Sequence, residues 1–266
     1  MINLHTFFQK LRKKASERGF ACDVCKAELF DYPKHRLCPD CLGALEYNNI
    51  HVCSKCGRKS VTEGVCLTCK SILPSFDVGV APFVYRGNTA ALINRIKNGD
   101  RRLAYFFGEE LAKALLNRFP QLKTQFDTGR YATNAESRPE KLLIIPVPLT
   151  KSRQAERGYN QSQELCEVLT DELNRSGVGA EMDIQTLVKR RETALQKRLG
   201  LVARKDNVSG AYHVHKRKFC EGKTIVLVDD VMTTGATGGE CADVLKRAGA
   251  KTVYFLAVAA LPELKK

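Results

Sequence analysis

Two sets of residues in this chain of 266 have the types and spacing to do chemistry. The first is the adjacent pair Asp229 and Asp230, which follows the apolar run Ile225-Val-Leu-Val and precedes Thr233-Thr-Gly-Ala-Thr237. Ionised carboxylates only accept hydrogen bonds, so two side by side suit the vicinal hydroxyls of a sugar such as ribose. A Thr/Gly-rich turn opening a helix offers backbone N–H groups, hydroxyls and the positive end of the helix dipole, which together bind phosphate. The second set is four C-x-x-C units, Cys22/Cys25, Cys38/Cys41, Cys53/Cys56 and Cys66/Cys69. Two residues between thiolates let one tight turn present both sulfurs to one ion, and four sulfurs complete a tetrahedral Zn²⁺ shell. The four pairs therefore predict two structural zinc sites. Sequential pairing (Cys22, Cys25, Cys38, Cys41, then Cys53, Cys56, Cys66, Cys69) is the expected arrangement, with interleaved pairing left open.

Four such pairs within fifty residues do not match a redox C-x-x-C, which occurs singly in a βαβ unit. The cysteine segment is too short and polar for a core of its own, and bound zinc contributes on the order of 10 kcal/mol to folding in such modules. Among its ligands lie Lys26, Lys34, His35, Arg36, Lys55, Arg58 and Lys59, with Phe30, Tyr32 and Tyr47. Cations interleaved with aromatics make a platform for single-stranded nucleic acid, or else the rings fill a small core and the cations are solvated. Both readings stand at this point.

Composition sets the frame. A content of 44% hydrophobic and 27% charged residues belongs to a soluble globular protein. No apolar stretch has the length of a bilayer span, and the charges at Lys10 to Lys14 follow the first apolar residues, the wrong order for a secretory signal. A cytoplasmic protein is expected. The net charge of +14 divides into +5 over residues 1–75, +4 over 76–145, +5 over 146–220 and zero over 221–266. A spread basic surface points to a polyanionic partner, nucleic acid being the commonest.

The elements that must position these residues read as α/β. Residues 225–228 suit a strand buried on both faces of a parallel sheet, which puts Asp229 and Asp230 at its carboxyl end, where open α/β sheets bind ligands; a helix over 239–248 follows. Residues 142–147 read as a second buried strand, opening into a loop with Lys151, Arg153 and Arg157 and then a helix over 162–174. Those three cations are expected to face the same crevice, and arginine forks suit phosphate oxygens. Residues 76–85 read as a strand or hairpin arm, 90–96 and 103–119 as helices, 182–188 as a strand and 252–259 as a last buried strand. The polar stretch 120–139 reads as a long loop or insertion. Cys166 and Cys241 fall in helical patterns as small core residues.

The segment Val226-Leu-Val-Asp-Asp-Val-Met-Thr-Thr-Gly-Ala-Thr237 resembles, without a gap, the 5-phosphoribosyl-1-pyrophosphate (PRPP) motif of type I phosphoribosyltransferases. That resemblance implies a twisted, mainly parallel sheet flanked by helices. It also implies that Asp229 and Asp230 contact the ribose hydroxyls and that Thr233, Thr234, Gly235, Ala236 and Thr237 hold the 5′-phosphate. Lys151, Arg153 and Arg157 would bind pyrophosphate, Mg²⁺ would arrive with PRPP, and the basic segment 187–212 would be the hood loop. Further along, Ile93-Asn-Arg-Ile-Lys-Asn-Gly-Asp100, Arg157-Gly-Tyr-Asn-Gln161, then Arg191, Thr193, Gln196, Leu199, Arg204, Asn207 and Gly210-Ala-Tyr212 resemble the ComF family in order and spacing. That family pairs a cysteine-rich zinc module with a phosphoribosyltransferase-like domain. The expected organisation is a helical segment over 1–20, a double zinc ribbon over 21–73 and the α/β domain over 74–262. Functionally the resemblance implies natural transformation, with handling of incoming single-stranded DNA at the cytoplasmic side, peripheral to the inner membrane and its DNA-uptake machinery. An active phosphoribosyltransferase using Mg-PRPP and an unidentified acceptor is the alternative.

Overall fold

The computed structural model describes residues 20–29, 35–61, 63–128, 140–191 and 208–263. Apart from Phe20, the helix expected over 1–20 lies outside them, as do Phe30, Tyr32, Lys34, Thr193, Gln196, Leu199, Arg204 and Asn207.

The cysteine-rich segment carries the antiparallel pair β1 (Phe20–Ala21) and β2 (Glu28–Leu29), and the short helices α1 (Pro39–Gly43) and α2 (Leu67–Ser71). Then come β3 (Val78–Val80), β4 (Phe83–Val84), α3 (Gly87–Lys97), α4 (Leu103–Arg118), α5 (Leu122–Gln125), β5 (Leu142–Pro146), α6 (Lys151–Arg157), α7 (Gln161–Arg175) and β6 (Ala180–Met182). The chain finishes with β7 (Leu187–Lys189), β8 (Tyr212–Val214), β9 (Thr224–Met232), α8 (Ala236–Arg247) and β10 (Thr252–Ala260). One parallel sheet has the order β3-β10-β9-β5-β6, with β4 also beside β10. A separate antiparallel pair joins β7 and β8.

Because strand side chains alternate, each central strand feeds two cores. Leu142 and Ile144, Val226 and Val228, and Leu256 and Val258 pack with α4 and α7 on one face. Leu143 and Ile145, Ile225 and Leu227, and Val253 and Phe255 pack with α8 on the other. The near-continuous apolar runs of these strands follow from burial on both faces. Leu165, Leu169 and Leu173 recur every fourth residue along α7 and seat it on the sheet. α8 lies unusually close to its strand, since a Cβ at Gly238 would fall 2.7 Å from the Phe255 ring.

Several expected boundaries change. Residues 76–85 form two short strands that lie parallel to β10 at successive positions rather than a hairpin arm. The stretch 182–188 is broken: Asp183 accepts from the backbone N–H groups of Gln185 and Thr186, turning the chain out of the main sheet between β6 and β7. Part of 120–139 is ordered by burial, through α5 and the buried rings of Phe119 and Phe126. The loop expected after β5 is the helix α6, capped by Thr150, whose hydroxyl accepts from the Arg153 N–H, and ended by Gly158 in the left-handed region. Cys166, Cys220 and Cys241 are all fully buried.

The cysteine segment shares the core of the α/β domain. Cys22, Cys41, Leu37 and Leu45 pack into the α4/α7 face, whereas Cys53, Cys56, Cys66 and Cys69 pack into the α8 face. The second knuckle presses onto β3 so closely that only glycine fits at both sides of the contact. A Cβ at Gly57 would meet the Gly79 carbonyl oxygen at 2.4 Å, and one at Gly79 would meet the Cys56 carbonyl oxygen at 2.6 Å. Gly79→Ala is therefore expected to destabilise the protein by about 1–3 kcal/mol, as overpacking does, and to loosen the second cysteine cluster. Thermal unfolding with zinc release followed by a chromogenic chelator checks this; an unchanged midpoint and release rate would refute it.

Candidate functional site

β5 and β9 are neighbours, but their crossovers leave in opposite directions: α6 and α7 lead from β5 to β6 over one face, α8 leads from β9 to β10 over the other. The carboxyl ends of two such strands border a crevice at a topological switch point. β5 pairs with β9 only as far as Val228, whereas β9 runs on beside β10 to Met232. The strand expected over 225–228 runs on to Met232, so Asp229 and Asp230 sit inside β9 rather than at its carboxyl end, with one flank no longer covered by β5.

The N-terminus of α7 enters that flank. Asn160 caps it, accepting from the Ser162 N–H at 3.0 Å while donating to the Val147 carbonyl at 3.1 Å. Its first two side chains then address the acidic pair. Gln161 Nε2 donates to Asp230 Oδ2 at 3.1 Å and Ser162 Oγ donates to Asp229 Oδ1 at 3.3 Å. From the other side Lys97, the last residue of α3, places Nζ 3.1 Å from Asp230 Oδ2. Just beyond it the chain is tied to the loop before α7: the Gly99 N–H donates to the Tyr159 hydroxyl at 3.1 Å, and Arg101 stacks 4.5 Å above the Tyr159 ring.

These contacts divide the pair electrostatically. Burial, reinforced by the negative charge of Asp230, pushes the Asp229 carboxyl up to about 7, against the pull of the Asp230 N–H, Lys97 and Ser162. Burial works against the charge on Lys97, but Asp230 and Asp229 outweigh it and hold the ammonium above lysine's ordinary pKa. Asp230 is thus paired with a fixed cation and Asp229 is not, and each accepts two contacts on one carboxylate oxygen.

The three expected phosphate-binding cations are not equivalent. Arg157 Nη1 donates to Gln161 Oε1 at 3.0 Å, so it joins the network one residue removed from Asp230. Arg153 lies in the middle of α6, near enough to the buried Tyr212 phenol for its charge to be felt there. Lys151, at the first position of α6, is exposed and makes no contact with the acidic pair among the described residues. After β9 the chain turns through Thr233 and Thr234, and Gly235, with φ +85°, starts α8. Thr234 Oγ1 accepts from the Ala236 N–H at 3.3 Å. The outer side of this turn borders a cavity of about 270 Å³ walled by Leu73, Pro74 and Val208 together with Glu240 and Asp243. Those two acids disfavour phosphate on that side of the turn.

Lys97, Gln161 and Ser162 were not among the residues singled out by chemistry in the sequence. A lysine one turn past Ile93, on the edge of the apolar face made by Leu92, Ile93 and Ile96, is the trace that Lys97 leaves.

The cysteines assemble sequentially. Within Cys22, Cys25, Cys38 and Cys41, and within Cys53, Cys56, Cys66 and Cys69, all sulfurs lie within 4.8 Å of one another. Cys25 and Cys38 are 3.7 Å apart, Cys56 and Cys66 3.8 Å. A tetrahedron with Zn–S bonds of about 2.3 Å has edges of about 3.8 Å, so both sets fit Zn²⁺. Backbone N–H groups of Cys38 and Cys66 donate to Cys22 and Cys53 sulfurs, at 3.4 and 3.2 Å, and buried Arg58 donates through Nε to Cys56 at 3.3 Å. Donors so placed offset thiolate charge. Of the two readings of the cations and rings among these knuckles, the described residues favour partners within the protein, although Tyr47 stays 42% exposed. His35 meets Glu109 at 3.2 Å, Arg36 covers Phe20, Lys55 donates to the Phe76 and Asp77 carbonyls, Lys59 pairs with Glu46, and Tyr47 packs on Phe83.

Two outcomes follow from this geometry. Asp229 binds its proton more tightly folded than unfolded, so its contribution to stability falls as pH rises from about 4 to about 7. Asp229→Asn removes that slope and raises ligand-free stability at pH 8 by about 2–4 kcal/mol; urea unfolding at pH 5 and pH 8 measures it, and equal pH profiles for both proteins would refute it. Cys66→Ser lowers the zinc content from two ions per chain to one, and metal analysis showing loss of both or neither would contradict independent sequential sites.

Residues 108–266 match the family model described as phosphoribosyl transferase domain. A DNA utilization protein, YhgH, from Salmonella typhimurium is 31% identical over 218 residues, covering 82% of this chain and 87% of that protein. The competence protein ComFC of Bacillus subtilis is 27% identical, covering 82% and 81%. Among solved structures, the Bacillus subtilis glutamine PRPP amidotransferase complexed with ADP and GMP aligns at 18% identity over 58% of this chain and 26% of that one, with a TM-score of 0.33. No helix among the described residues is long and apolar enough to cross a membrane. With relatives that cover most of the chain, a phosphoribosyl transferase domain over its C-terminal part and two four-cysteine clusters before it, the chain belongs to the ComF family, a phosphoribosyltransferase-like α/β fold joined to an N-terminal cysteine-rich zinc-binding module.

Proposed function

We propose that this protein handles incoming single-stranded DNA during natural transformation and carries a PRPP-binding site in the β5/β9 crevice. The observation that carries the ligand half of this reading is Asp229 and Asp230 in a half-uncovered strand, followed by a Thr/Gly turn at the N-terminus of α8. Asp229 accepts from a ribose hydroxyl, and Asp230, held by Lys97 and Gln161, accepts from its neighbour. The Thr233 to Thr237 turn receives the 5′-phosphate on its N–H groups and hydroxyls. Arg153 and Arg157 meet the pyrophosphate, with exposed Lys151 at the rim. Magnesium, carried in on the pyrophosphate, would lower its charge; Asp229, the carboxylate without a fixed cation, is the residue open to it.

The DNA half is supported by relatives named for DNA utilization and for competence and by a basic excess spread over every part of the chain except residues 221–266. The protein would then act at the cytoplasmic face, beside the membrane DNA-uptake machinery.

Calorimetric titration with Mg-PRPP tests the crevice. Binding is expected for the wild type and loss of at least tenfold in affinity for Asp229→Ala/Asp230→Ala, because both ribose acceptors disappear. Unchanged affinity in the double variant would remove this site assignment. Release of pyrophosphate from PRPP in the presence of candidate acceptors, abolished in the same variant, would replace the binding role with an active transferase.

A further inference from the structure

We infer that the outer face of the β7–β8 pair, continued through the turn after β8, is a contact surface for single-stranded DNA, separate from the crevice and its acidic pair. The inference rests on the proposed DNA-handling role and names the surface that performs it.

In the β7–β8 register Leu187 faces Val214 and Lys189 faces Tyr212, with Val188 opposite His213 between them. Leu187, Tyr212 and Val214 are buried in the α8 core, so alternation sends His213 to the opposite, outer side. The ladder continues at both ends. The Arg190 N–H donates to the Ala211 carbonyl at 2.9 Å, and the His215 N–H donates to Thr186 at 2.9 Å. Arg190 and His215 therefore share the outer face with His213, whose ring meets that of His215 at 5.5 Å. A 3-10 turn (Arg217–Phe219) follows, pinned by the fully buried Cys220. It displays Lys216, Arg217 and Lys218 to solvent beside Phe219, which is 51% exposed and covered by the Lys216 ammonium at 5.3 Å.

The charge of this patch is clustered and is not neutralised by carboxylates among the described residues. Elsewhere Arg95 is held by Asp23 and Asp100, Lys97 by Asp230, Arg101 by Glu164 and Lys246 by Asp77. Among the described residues, none of Arg190, Lys216, Arg217 and Lys218 is in an ion pair with a carboxylate; Lys216 donates to the Gln185 amide oxygen and Arg217 to the Arg247 carbonyl. Crowded cations of one sign repel one another and favour a polyanion. Three accessible rings among them, His213, His215 and Phe219, offer π faces on which unpaired bases stack. A lipid surface would instead call for several well-exposed aliphatic side chains; on this face Val188, opposite His213, is half-buried, and Val214 is buried. Duplex DNA keeps its bases stacked inside, so the rings favour a single strand.

The test is fluorescence anisotropy of a labelled thirty-nucleotide oligo(dT) on the full chain between 50 and 300 mM salt, comparing wild type with Lys216→Ser/Arg217→Ser/Lys218→Ser and with Phe219→Ala. The triple variant is expected to bind at least about tenfold more weakly at 150 mM salt and to lose about two units of the log–log salt slope, at about 0.7 per phosphate contact. Phe219→Ala is expected to weaken binding with the slope unchanged. Wild-type affinity and slope in both variants would overturn the surface while leaving the DNA-handling role intact. No binding by the wild type would sink that role and this inference together. Photo-cross-linking of bromodeoxyuridine-substituted oligonucleotide to the wild type gives a readout independent of variant folding: adducts on the peptide spanning residues 212–219 are expected, and adducts confined to other peptides would overturn the assignment. Vesicles of anionic phospholipid that bind with the same dependence on Lys216, Arg217 and Lys218, when oligo(dT) does not, would transfer the surface to a membrane.

Discussion

The constraint on which the molecule depends is the divergence of two adjacent parallel strands. Right-handed crossovers from β5 and β9 can reach β6 and β10 only over opposite faces of the sheet, so neither crossover closes the gap between their carboxyl ends. β9 continues past the end of β5, and that asymmetry exposes two carboxylates from the middle of a strand. A buried acidic pair is costly by itself. It is tolerated here because the N-terminus of α7 and the ammonium of Lys97 converge on it, and the remaining strain is kept on Asp229 as a raised carboxyl pKa.

The cysteine-rich segment is a brace for this arrangement rather than an appended bead. Its two clusters lie against opposite faces of the sheet, so each ion would fasten a different layer. The first cluster has a direct line to the crevice. Arg95 donates to the Asp23 carboxylate and carbonyl beside Cys22, and also grips Asp100 just after α3, the helix whose last residue is Lys97. The second cluster is clamped by the Gly57–Gly79 contact and by Glu263, whose carboxylate accepts from Ser60 and from the N–H groups of Val61 and Leu67. Hydrogen bonds thus run from the first cluster to the helix that carries Lys97, and the second cluster is held against β3 and the end of the described chain.

Much of the fold was legible because buried parallel strands announce themselves. Residues 142–147, 225–228 and 252–259 are apolar without alternation, and each is a central strand. Segments whose structure depends on partners distant in sequence were misread. The split of 182–188 needs the Asp183 turn and a second sheet with which β7 can pair. The two short strands of 76–85 owe their direction to β10, far along the chain. Helix α6 has no buried residue and so no apolar stripe to betray it; its cap and its terminal glycine define it.

Local chemistry in the sequence was enough to identify the acidic pair, the Thr/Gly turn and the four thiol pairs, because each is a contiguous motif whose function follows from its own spacing. It could not reveal Lys97, Gln161 and Ser162 as partners of that pair, nor separate Arg157 from Lys151, nor show that His35 and Lys59 among the cysteines meet carboxylates while the cations after β8 do not. Those distinctions are made by which groups meet after folding, and electrostatic interactions fall off so steeply with distance and exposure that charge in a sequence becomes function only once the tertiary structure has decided which charges are paired and which are left facing solvent.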